Sequence, residues 1–163
     1  MSSDDHSVPS QHQSIEQLPG HAIRRLQQIS VAVFLQETEA FGLTPVQFAA
    51  LQCVADVPDV DQRTLARLAG LDTSTITGVV DRLESRGWLQ RRFSPTDRRV
   101  RTLRITDAGE VLLKEAWPAV RKSQETLLKP LSAAERKEFL RMLGVLITQN
   151  NALSRAPSAA QGK

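Results

Sequence analysis

The sequence predicts a mainly α-helical protein with a small β-hairpin, and three observations lead to this prediction. Apolar residues recur at helical spacing through most of the chain. Two of the helical segments are short and are separated by a turn at Gly70, which is the pattern of a helix-turn-helix. Two alternating segments joined by a polar loop follow, at 88–93 and 100–105. These features predict a winged helix-turn-helix with further helices on either side.

We predict six helices, each bounded by residues that favour a helix start or end. Their approximate ranges are 20–40, 44–57, 62–69, 73–86, 106–129 and 132 onward. Thr44 with Gln47, and Ser132 with Glu135, have the spacing of a capping box. Pro118 falls inside the fifth helix, where it removes a backbone hydrogen bond, so we predict a kink there.

The first, fifth and sixth helices carry more apolar surface than one winged unit can cover. The inward stripes predicted for the first and sixth helices are Ile23, Leu26, Ile29, Ser30, Val33, Phe34, Phe139, Leu140, Leu143, Leu146 and Ile147. Pairing with a second copy around a two-fold axis would bury these stripes, so we predict a homodimer. The alternative is a three-helix bundle within one chain.

The predicted domain organisation follows from these elements. Residues 44–106 form the winged helix-turn-helix, and residues 15–43 and 107–154 form a helical dimerisation region. Polar tails at 1–14 and 155–163 are expected to be disordered because they contain few apolar residues.

Positive charge is concentrated on the helix-turn-helix and its wing. Residues 61–106 contain ten arginines and five acids, a net charge of +5, whereas the whole chain is only +3. This distribution is typical of a protein that binds nucleic acid. Single-stranded nucleic acid is usually bound by stacking on aromatic side chains. Phe93 is the only aromatic residue near the basic loop, so the sequence favours double-stranded DNA.

Other classes of protein fit the sequence less well. No nucleophile elbow, P-loop, dinucleotide-binding glycine pattern or metalloprotease pair is present, so we expect no enzyme and no cofactor. Three histidines near the N-terminus and one cysteine make no zinc site. There is no membrane-length apolar segment and no secretory signal, so a cytoplasmic protein is expected. A protein-binding winged helix and an RNA-binding protein remain as alternatives.

Three stretches of the chain resemble the MarR family of bacterial transcription regulators. They are LTPVQFAAL at 43–51, TLARLAGLDTSTITGVVDRLESRGWLQR at 64–91 and DRRVRTLRITDAGE at 97–110. The resemblance covers residues from about 20 to 150. It implies a winged-helix dimer that binds a pseudo-palindromic operator, usually as a repressor, and that a small ligand often releases from DNA.

The fourth helix is the predicted recognition helix, because a helix with a polar outer face fits the major groove. Its outward residues are Thr73, Ser74, Thr75, Thr77, Gly78, Asp81 and Arg82, with Arg86 one turn further on. Thr73 and Ser74 can alternatively cap the helix. Arg82 can bind phosphate or pair with Asp81 or Glu84, whereas phosphate is favoured for Arg86. Many family members carry a basic residue where this chain has Gly78, so guanine recognition there is in doubt.

The wing is the second predicted contact with DNA. By the resemblance, Arg99 enters the minor groove and Asp97 holds its guanidinium group. A narrow minor groove concentrates negative potential, and arginine loses its hydration more readily than lysine. Arg98 and Arg101 are expected to contact phosphates on either side. The alternative is a run of solvated charges.

The resemblance also implies an effector pocket between the winged unit and the dimerisation helices. The candidate residues are His21, Arg24, Arg25, Gln28, Phe48, Cys53 and Trp117. Residues 19–30 look like those of members that control the catabolism of aromatic acids, so an aromatic carboxylate or phenol is the expected effector. Arg25 is favoured over Arg24 as its cation.

Plainer interpretations of these residues remain open. The arginines can form surface or inter-subunit ion pairs, His21 can be a surface or structural residue, and Phe48 and Trp117 can belong to the core. Cys53 can act as a small apolar residue, and a redox-responsive regulator is a further alternative.

Overall fold

The computed structural model describes residues 14–94 and 101–154 and confirms the predicted fold class. Its six helices are α1 (Pro19–Glu37), α2 (Pro45–Asp56), α3 (Gln62–Leu68), α4 (Thr73–Ser85), α5 (Asp107–Leu128) and α6 (Ala133–Asn150). Its strands are β1 (Val60–Asp61), β2 (Leu89–Phe93) and β3 (Arg101–Ile105). Short 3-10 turns occupy Ile15–Gln17, Glu39–Phe41 and Asn151–Leu153. The predicted tails, apart from Ser14, and the wing loop at 95–100 lie outside the described residues.

The first helix ends three residues earlier than predicted. The hydroxyl of Thr38 donates to the carbonyl of Phe34 at 2.7 Å, and Thr38 is buried. The chain then makes a 3-10 turn and reaches Gly42, whose φ of 59° lies in the left-handed region that glycine adopts most easily. The predicted end at Ala40 therefore falls inside this separate turn.

One strand of the sheet was not predicted. β1 pairs with β3 in antiparallel register, Val60 opposite Leu103 and Asp61 opposite Thr102, so the strand order is β1-β3-β2. A strand of two residues is too short to show alternation in a sequence. The hairpin is therefore part of a three-stranded sheet, and β2 lies at its edge.

The predicted helix starts are confirmed by their hydrogen bonds. Capping boxes are present at Thr44 with Gln47 and at Ser132 with Glu135. The hydroxyl of Thr106 accepts from the backbone N–H of Gly109 at 3.1 Å and so caps α5. Pro118 lies inside α5, as predicted, and the kink stays a prediction.

The core lies in the winged unit. The apolar side of α4, consisting of Ile76, Val79, Val80 and Leu83, is buried as predicted. It belongs to one cluster with α2, α3, the sheet and part of α5. Burial of such aliphatic side chains contributes about 1.5–3 kcal/mol each, so this cluster fixes which side of α4 faces outward.

The apolar stripes on α1 and α6 stay largely exposed within one chain, and their burial by a second copy stays a prediction. On α1 only Phe34 is buried, whereas Ile23 is 56% exposed. On α6 no residue is buried, and Ile147 is 67% exposed. An open apolar groove of about 290 Å³ runs between α1, α5 and α6. A bundle within the chain therefore leaves these faces uncovered, because the helices extend beyond the winged core.

No helix within the described ranges combines the length and the apolar character needed to cross a bilayer.

A close contact joins α5 to the winged unit. A Cβ atom at position 109 would lie 2.1 Å from the carbonyl oxygen of Trp88. The same carbonyl accepts from the backbone N–H of Thr106, and the Thr106 hydroxyl donates to the carbonyl of Gly87 at 2.6 Å. Only glycine fits at position 109 without moving the backbone, so the start of α5 is held directly against the segment before β2.

Replacing Gly109 with alanine should destabilise the fold. The new methyl group would meet a backbone carbonyl that cannot turn aside, so we expect a loss of at least about 2 kcal/mol in the free energy of unfolding. Urea denaturation at fixed protein concentration measures this change.

The matched control is Gly78→Ala, also in a helix interior, where a Cβ atom would meet nothing within 4 Å. That substitution should stabilise by about 0.5–1 kcal/mol, because alanine loses less backbone freedom on folding. Equal effects at the two positions would contradict the close contact.

Candidate nucleic-acid interface and ligand site

The outer side of α4 presents a row of small hydroxyl groups. Thr73, Ser74, Thr75 and Thr77 are exposed, as the sequence predicted, opposite the buried apolar side. Three of the four hydroxyls are already held by bonds within the protein. A hydroxyl that donates within the protein still has an oxygen that can accept, so the row remains able to bind polar groups.

Asp72 caps α4 and holds two of these hydroxyls. Its carboxylate accepts from the hydroxyl of Ser74, and from the backbone N–H of Thr75 at 2.8 Å and the Thr75 hydroxyl at 2.7 Å. These bonds, that of Ser74 first, hold the pKa of Asp72 well below its ordinary value. Asp72 is therefore the cap of α4, so the alternative that Thr73 and Ser74 cap the helix is wrong, since both lie inside it. Ser74 instead donates a hydrogen bond to the capping carboxylate.

Gln62 is a residue of this surface that sequence reasoning missed. Its side-chain amide donates to the hydroxyl of Thr77 at 2.7 Å, and that hydroxyl donates to the carbonyl of Thr73 at 2.8 Å. Gln62 opens α3, fifteen positions before Thr77, and no pattern in the sequence indicates that the two meet. The bond ties the start of α3 to the exposed side of α4.

The backbone at Gly78 lies open at the surface. A side chain there would meet no atom within 4 Å, so packing does not require a glycine at this position. The absence of a side chain allows another molecule to approach the helix backbone closely.

Arg82 and Arg86 occupy different environments. Arg86 donates to the carbonyl of Gly42 at 2.9 Å, and its guanidinium carbon lies 4.8 Å from the centre of the Trp88 ring. This contact ties the end of α4 to the turn after α1, and phosphate binding by Arg86 stays a prediction. Arg82 is exposed and forms no ion pair within residues 14–94 and 101–154. The acids considered as its partners are engaged by another residue.

Arg91 on β2 forms ion pairs with both Asp81 and Glu84 of α4, the two acids considered as partners of Arg82. Its backbone N–H also donates to Glu84 at 3.1 Å. Burial by itself would lower the pKa of Arg91, but the hydrogen bonds and charges of the two acids raise it. Arg91 is therefore engaged inside the winged unit, although the sequence places it in a basic run.

The root of the wing carries an exposed cation beside an aromatic ring. Arg101 begins β3, and its guanidinium carbon lies 5.4 Å from the centre of the Phe93 ring, which is itself 62% exposed. The remaining predicted wing residues, Asp97, Arg98 and Arg99, lie outside the described residues, so their roles stay predictions.

An aromatic cluster occupies the predicted ligand region. Phe48 of α2 packs edge-on against Trp117 of α5, with ring centres 5.2 Å apart, and lies 6.0 Å from the ring of Phe34. The Trp117 indole N–H donates to the side chain of Gln52 at 3.1 Å. Trp117 is 40% exposed, so its ring is not enclosed by the core of one chain. Gln52 was absent from the predicted set.

The predicted polar residues of this site lie elsewhere on α1. Arg24 donates to Gln28 at 3.5 Å on an exposed surface, Arg25 is exposed and His21 is half-buried. Arg25 precedes Phe34 by nine residues, about 13 Å along a helix axis. Among the residues that the structure describes, no hydrogen bond, ion pair or ring contact links these side chains to Phe48 or Trp117.

Cys53 lies half-buried on α2 beside the apolar core. Burial, and after it the charge of Asp56, raises the pKa of its thiol. Oxidants attack the thiolate, so a raised pKa disfavours the redox-responsive alternative.

A polar cavity of about 630 Å³ lies at the base of the wing, between the end of α2, the sheet and the start of α5. It is lined by the cations Arg92 and Arg104 and by the acids Asp107 and Glu110. Arg104 also pairs with Asp59. The cavity contains none of the predicted ligand residues, so it is separate from the aromatic cluster.

Comparison with known proteins places this arrangement in a family. The MarR family profile matches residues 43–100, which span α2 to the wing. The HTH-type transcriptional repressor NicR of Pseudomonas putida is 33% identical over 128 residues, which cover 78% of this chain and 81% of NicR.

Two solved structures share the fold over most of both chains. One concerns the regulation of DNA binding of Bordetella bronchiseptica BpsR by 6-hydroxynicotinic acid. It is 28% identical, with a TM-score of 0.78, and covers 82% of this chain and 96% of BpsR. The other is the transcriptional repressor CouR bound to a 23-mer DNA duplex. It is 31% identical, with a TM-score of 0.75, and covers 80% of this chain and 93% of that chain.

The winged helix-turn-helix, the flanking helices and these similarities agree with one another. The chain therefore belongs to the MarR family of transcriptional regulators.

Proposed function

We propose that this protein is a dimeric repressor that binds a pseudo-palindromic DNA operator and is released by a small aromatic acid or its CoA thioester. The observation that carries the proposal is the two-sided character of α4. Its apolar side is buried in the winged core, and its opposite side presents small hydroxyl groups and Arg82 beside the basic wing.

Duplex DNA suits this surface physically. The major groove admits an α-helix, and hydroxyl side chains can bond either base edges or phosphates. The open backbone at Gly78 lets the helix lie deep in the groove. Arg101 at the wing root, with Arg98 and Arg99 in the loop, supplies cations for the adjacent backbone and minor groove. The related CouR, whose structure was solved bound to a DNA duplex, supports duplex DNA as the partner.

A second copy of the chain is the proposed cover for the apolar faces of α1 and α6. Single exposed apolar residues are normal on a protein surface, but contiguous apolar faces usually mark an interface. Ile23, Ile29, Leu140 and Ile147 are all about half exposed or more. A two-fold dimer covers both faces with the same interaction and presents two recognition helices to two half-sites.

The aromatic cluster is the proposed position of the effector ring. Trp117 presents a partly exposed ring that packs edge-on against the buried Phe48, and the Gln52 amide beside it keeps one N–H and one lone pair for a polar substituent. An aromatic carboxylate also needs a cation, and Arg25 remains our choice. BpsR, whose DNA binding is regulated by 6-hydroxynicotinic acid, supports this class of ligand.

We further propose that Arg25 and Trp117 in one effector site come from different chains. Arg25 stands about 13 Å along α1 from Phe34, the α1 residue that touches the aromatic cluster of its own chain. Because α1 carries an uncovered apolar face, the partner's α1 can lie against this region in the dimer. The effector site would then span the dimer interface.

The dimer should be visible as a molecular mass twice the 18.1 kDa of one chain in light scattering. Ile147→Glu should shift the mass toward the monomer, because it places a charge on the apolar face of α6. Gln149→Glu is the control, since it adds the same charge on the opposite side of the helix. A wild-type mass near that of one chain would rule the dimer out.

Operator binding should depend on Arg99. After the operator is selected from duplexes of the promoter region, Arg99→Ala should weaken binding by roughly 1–3 kcal/mol at physiological salt. Loss of a flanking phosphate contact, as in Arg98→Ala, should lower the salt slope by about one. Arg121→Ala, an exposed cation of α5, is the control for net charge. Unchanged affinity of the Arg99 variant would contradict the proposed minor-groove contact.

Effector binding should raise the thermal stability of the free protein. Benzoates, hydroxybenzoates, hydroxycinnamates and their CoA thioesters are the compounds to screen. A ligand at a hundred times its Kd stabilises by about 2.7 kcal/mol. Arg25→Ala should remove the shift, whereas Arg24→Ala, one position away, should keep most of it. No shift with any aromatic acid would contradict the proposed effector.

Mixed dimers distinguish a shared site from a site within one chain. Homodimers that carry either Arg25→Ala or Trp117→Ala should fail to bind the effector. If each effector site uses both chains, a mixed dimer of the two variants should regain one intact site and bind again. If both residues belong to the same chain, both sites of the mixed dimer remain damaged and no binding returns.

A further inference from the structure

We propose that Arg91 is a positioning residue that fixes the wing relative to the recognition helix α4, and that it does not itself contact DNA. This inference rests on the DNA binding proposed above. It assigns a distinct role to one arginine of the basic run and to two acids that lie near the proposed DNA surface.

The contacts of Arg91 all point into the protein. Its guanidinium group bridges Asp81 and Glu84, which lie three positions apart on α4 and hence on one side of the helix. Its side chain is only 19% exposed. Both ends of the guanidinium group are therefore engaged, and little of the group remains available to a phosphate. Arg92, the next residue, is exposed by contrast.

The backbone of β2 is tied to the helix at the same point. β2 has β3 on one side and no other described strand on its second side, where its N–H groups point away from the sheet. Glu84 accepts the N–H of Arg91 at 3.1 Å and so replaces that missing partner. Glu84 thus binds both the backbone and the side chain of Arg91, which fixes the position of the strand as well as of one side chain.

The contact between Arg91 and α4 fixes the distance between the recognition helix and the strand that leads into the wing loop. β2 leads into the loop at 95–100 that carries Asp97, Arg98 and Arg99, and α4 carries the hydroxyl row. Simultaneous insertion into adjacent grooves requires a fixed separation between helix and wing. The contact of Arg91 with α4 sets that separation before DNA arrives, so less conformational freedom is lost on binding.

A pure charge effect and a positioning effect predict opposite changes in DNA affinity when Asp81 or Glu84 is neutralised. One arginine with two carboxylates leaves a net charge of −1 close to the proposed phosphate-binding surface. If Asp81 and Glu84 acted only through charge, neutralising either would reduce repulsion and tighten DNA binding. If they position the wing through Arg91, neutralising either should weaken binding. The sign of the change therefore separates the two roles.

The test uses the full-length variants Glu84→Gln and Asp81→Asn, each of which removes one charge at nearly constant shape. We expect Glu84→Gln to weaken binding of the selected operator about three- to tenfold, as for loss of a partly buried ion pair. Asp81→Asn should weaken it less, because it leaves the backbone bond to Glu84 in place. Glu115→Gln on α5 is the control for the change in net charge.

Two further measurements separate positioning from simple destabilisation. Minor-groove protection at the wing, measured by hydroxyl-radical footprinting, should decrease in Glu84→Gln while major-groove protection by α4 remains. In the free protein, the backbone N–H of Arg91 should exchange with solvent faster in Glu84→Ala than in the wild type, because alanine removes the oxygen that accepts it. Thermal unfolding identifies a variant that fails to fold, and Asp81→Asn then carries the test.

Equal or tighter operator binding by both folded variants would overturn the proposal. So would unchanged exchange at the Arg91 N–H, a result that needs no DNA. If the wild type bound no duplex, the proposed function would fail, and the exchange measurement would still decide whether Glu84 holds the wing strand.

Discussion

The structure depends first on burial of the apolar side of α4. Ile76, Val79, Val80 and Leu83 are almost completely enclosed, so α4 has one stable rotation about its axis. That rotation decides that Thr73, Thr77 and Arg82 face outward. The bonds of Asp72, Gln62 and Arg91 then refine an orientation that the core has already chosen. The proposed DNA surface is therefore the polar side of α4 that remains exposed once the apolar side is buried.

Much of the fold was predictable because it depends on local chemistry. Capping at Thr44, Thr106 and Ser132, and the buried stripe of α4, follow from spacing along a single segment. The two-residue strand β1 was missed because its evidence is the pairing with Leu103, which lies far away in sequence. The premature end of α1 depends on a side-chain bond of Thr38 that periodicity does not reveal.

The roles of individual arginines were harder to predict than the charge of the region. The sequence shows ten arginines in residues 61–106. It does not show which of them are exposed to solvent and which form ion pairs or hydrogen bonds within the protein. Arg91 faces two acids of α4, and Arg86 lies against Trp88 and the carbonyl of Gly42. Likewise, Arg25 lies about 13 Å along α1 from Phe34, the α1 residue that contacts the aromatic cluster. Long-range packing decides such assignments.

The contact at Gly109 couples the start of α5 mechanically to the segment before β2. Because the backbone of Trp88 touches the backbone of α5 without an intervening side chain, the two segments have little room to move relative to each other. The part of α5 before Pro118, residues 107–117, is about 16 Å long and begins at this contact. A tilt of about 5° would displace the far end of this part by about 1.4 Å. We expect a displacement of that end to be transmitted to the segment before β2, because no side chain lies between them to absorb it.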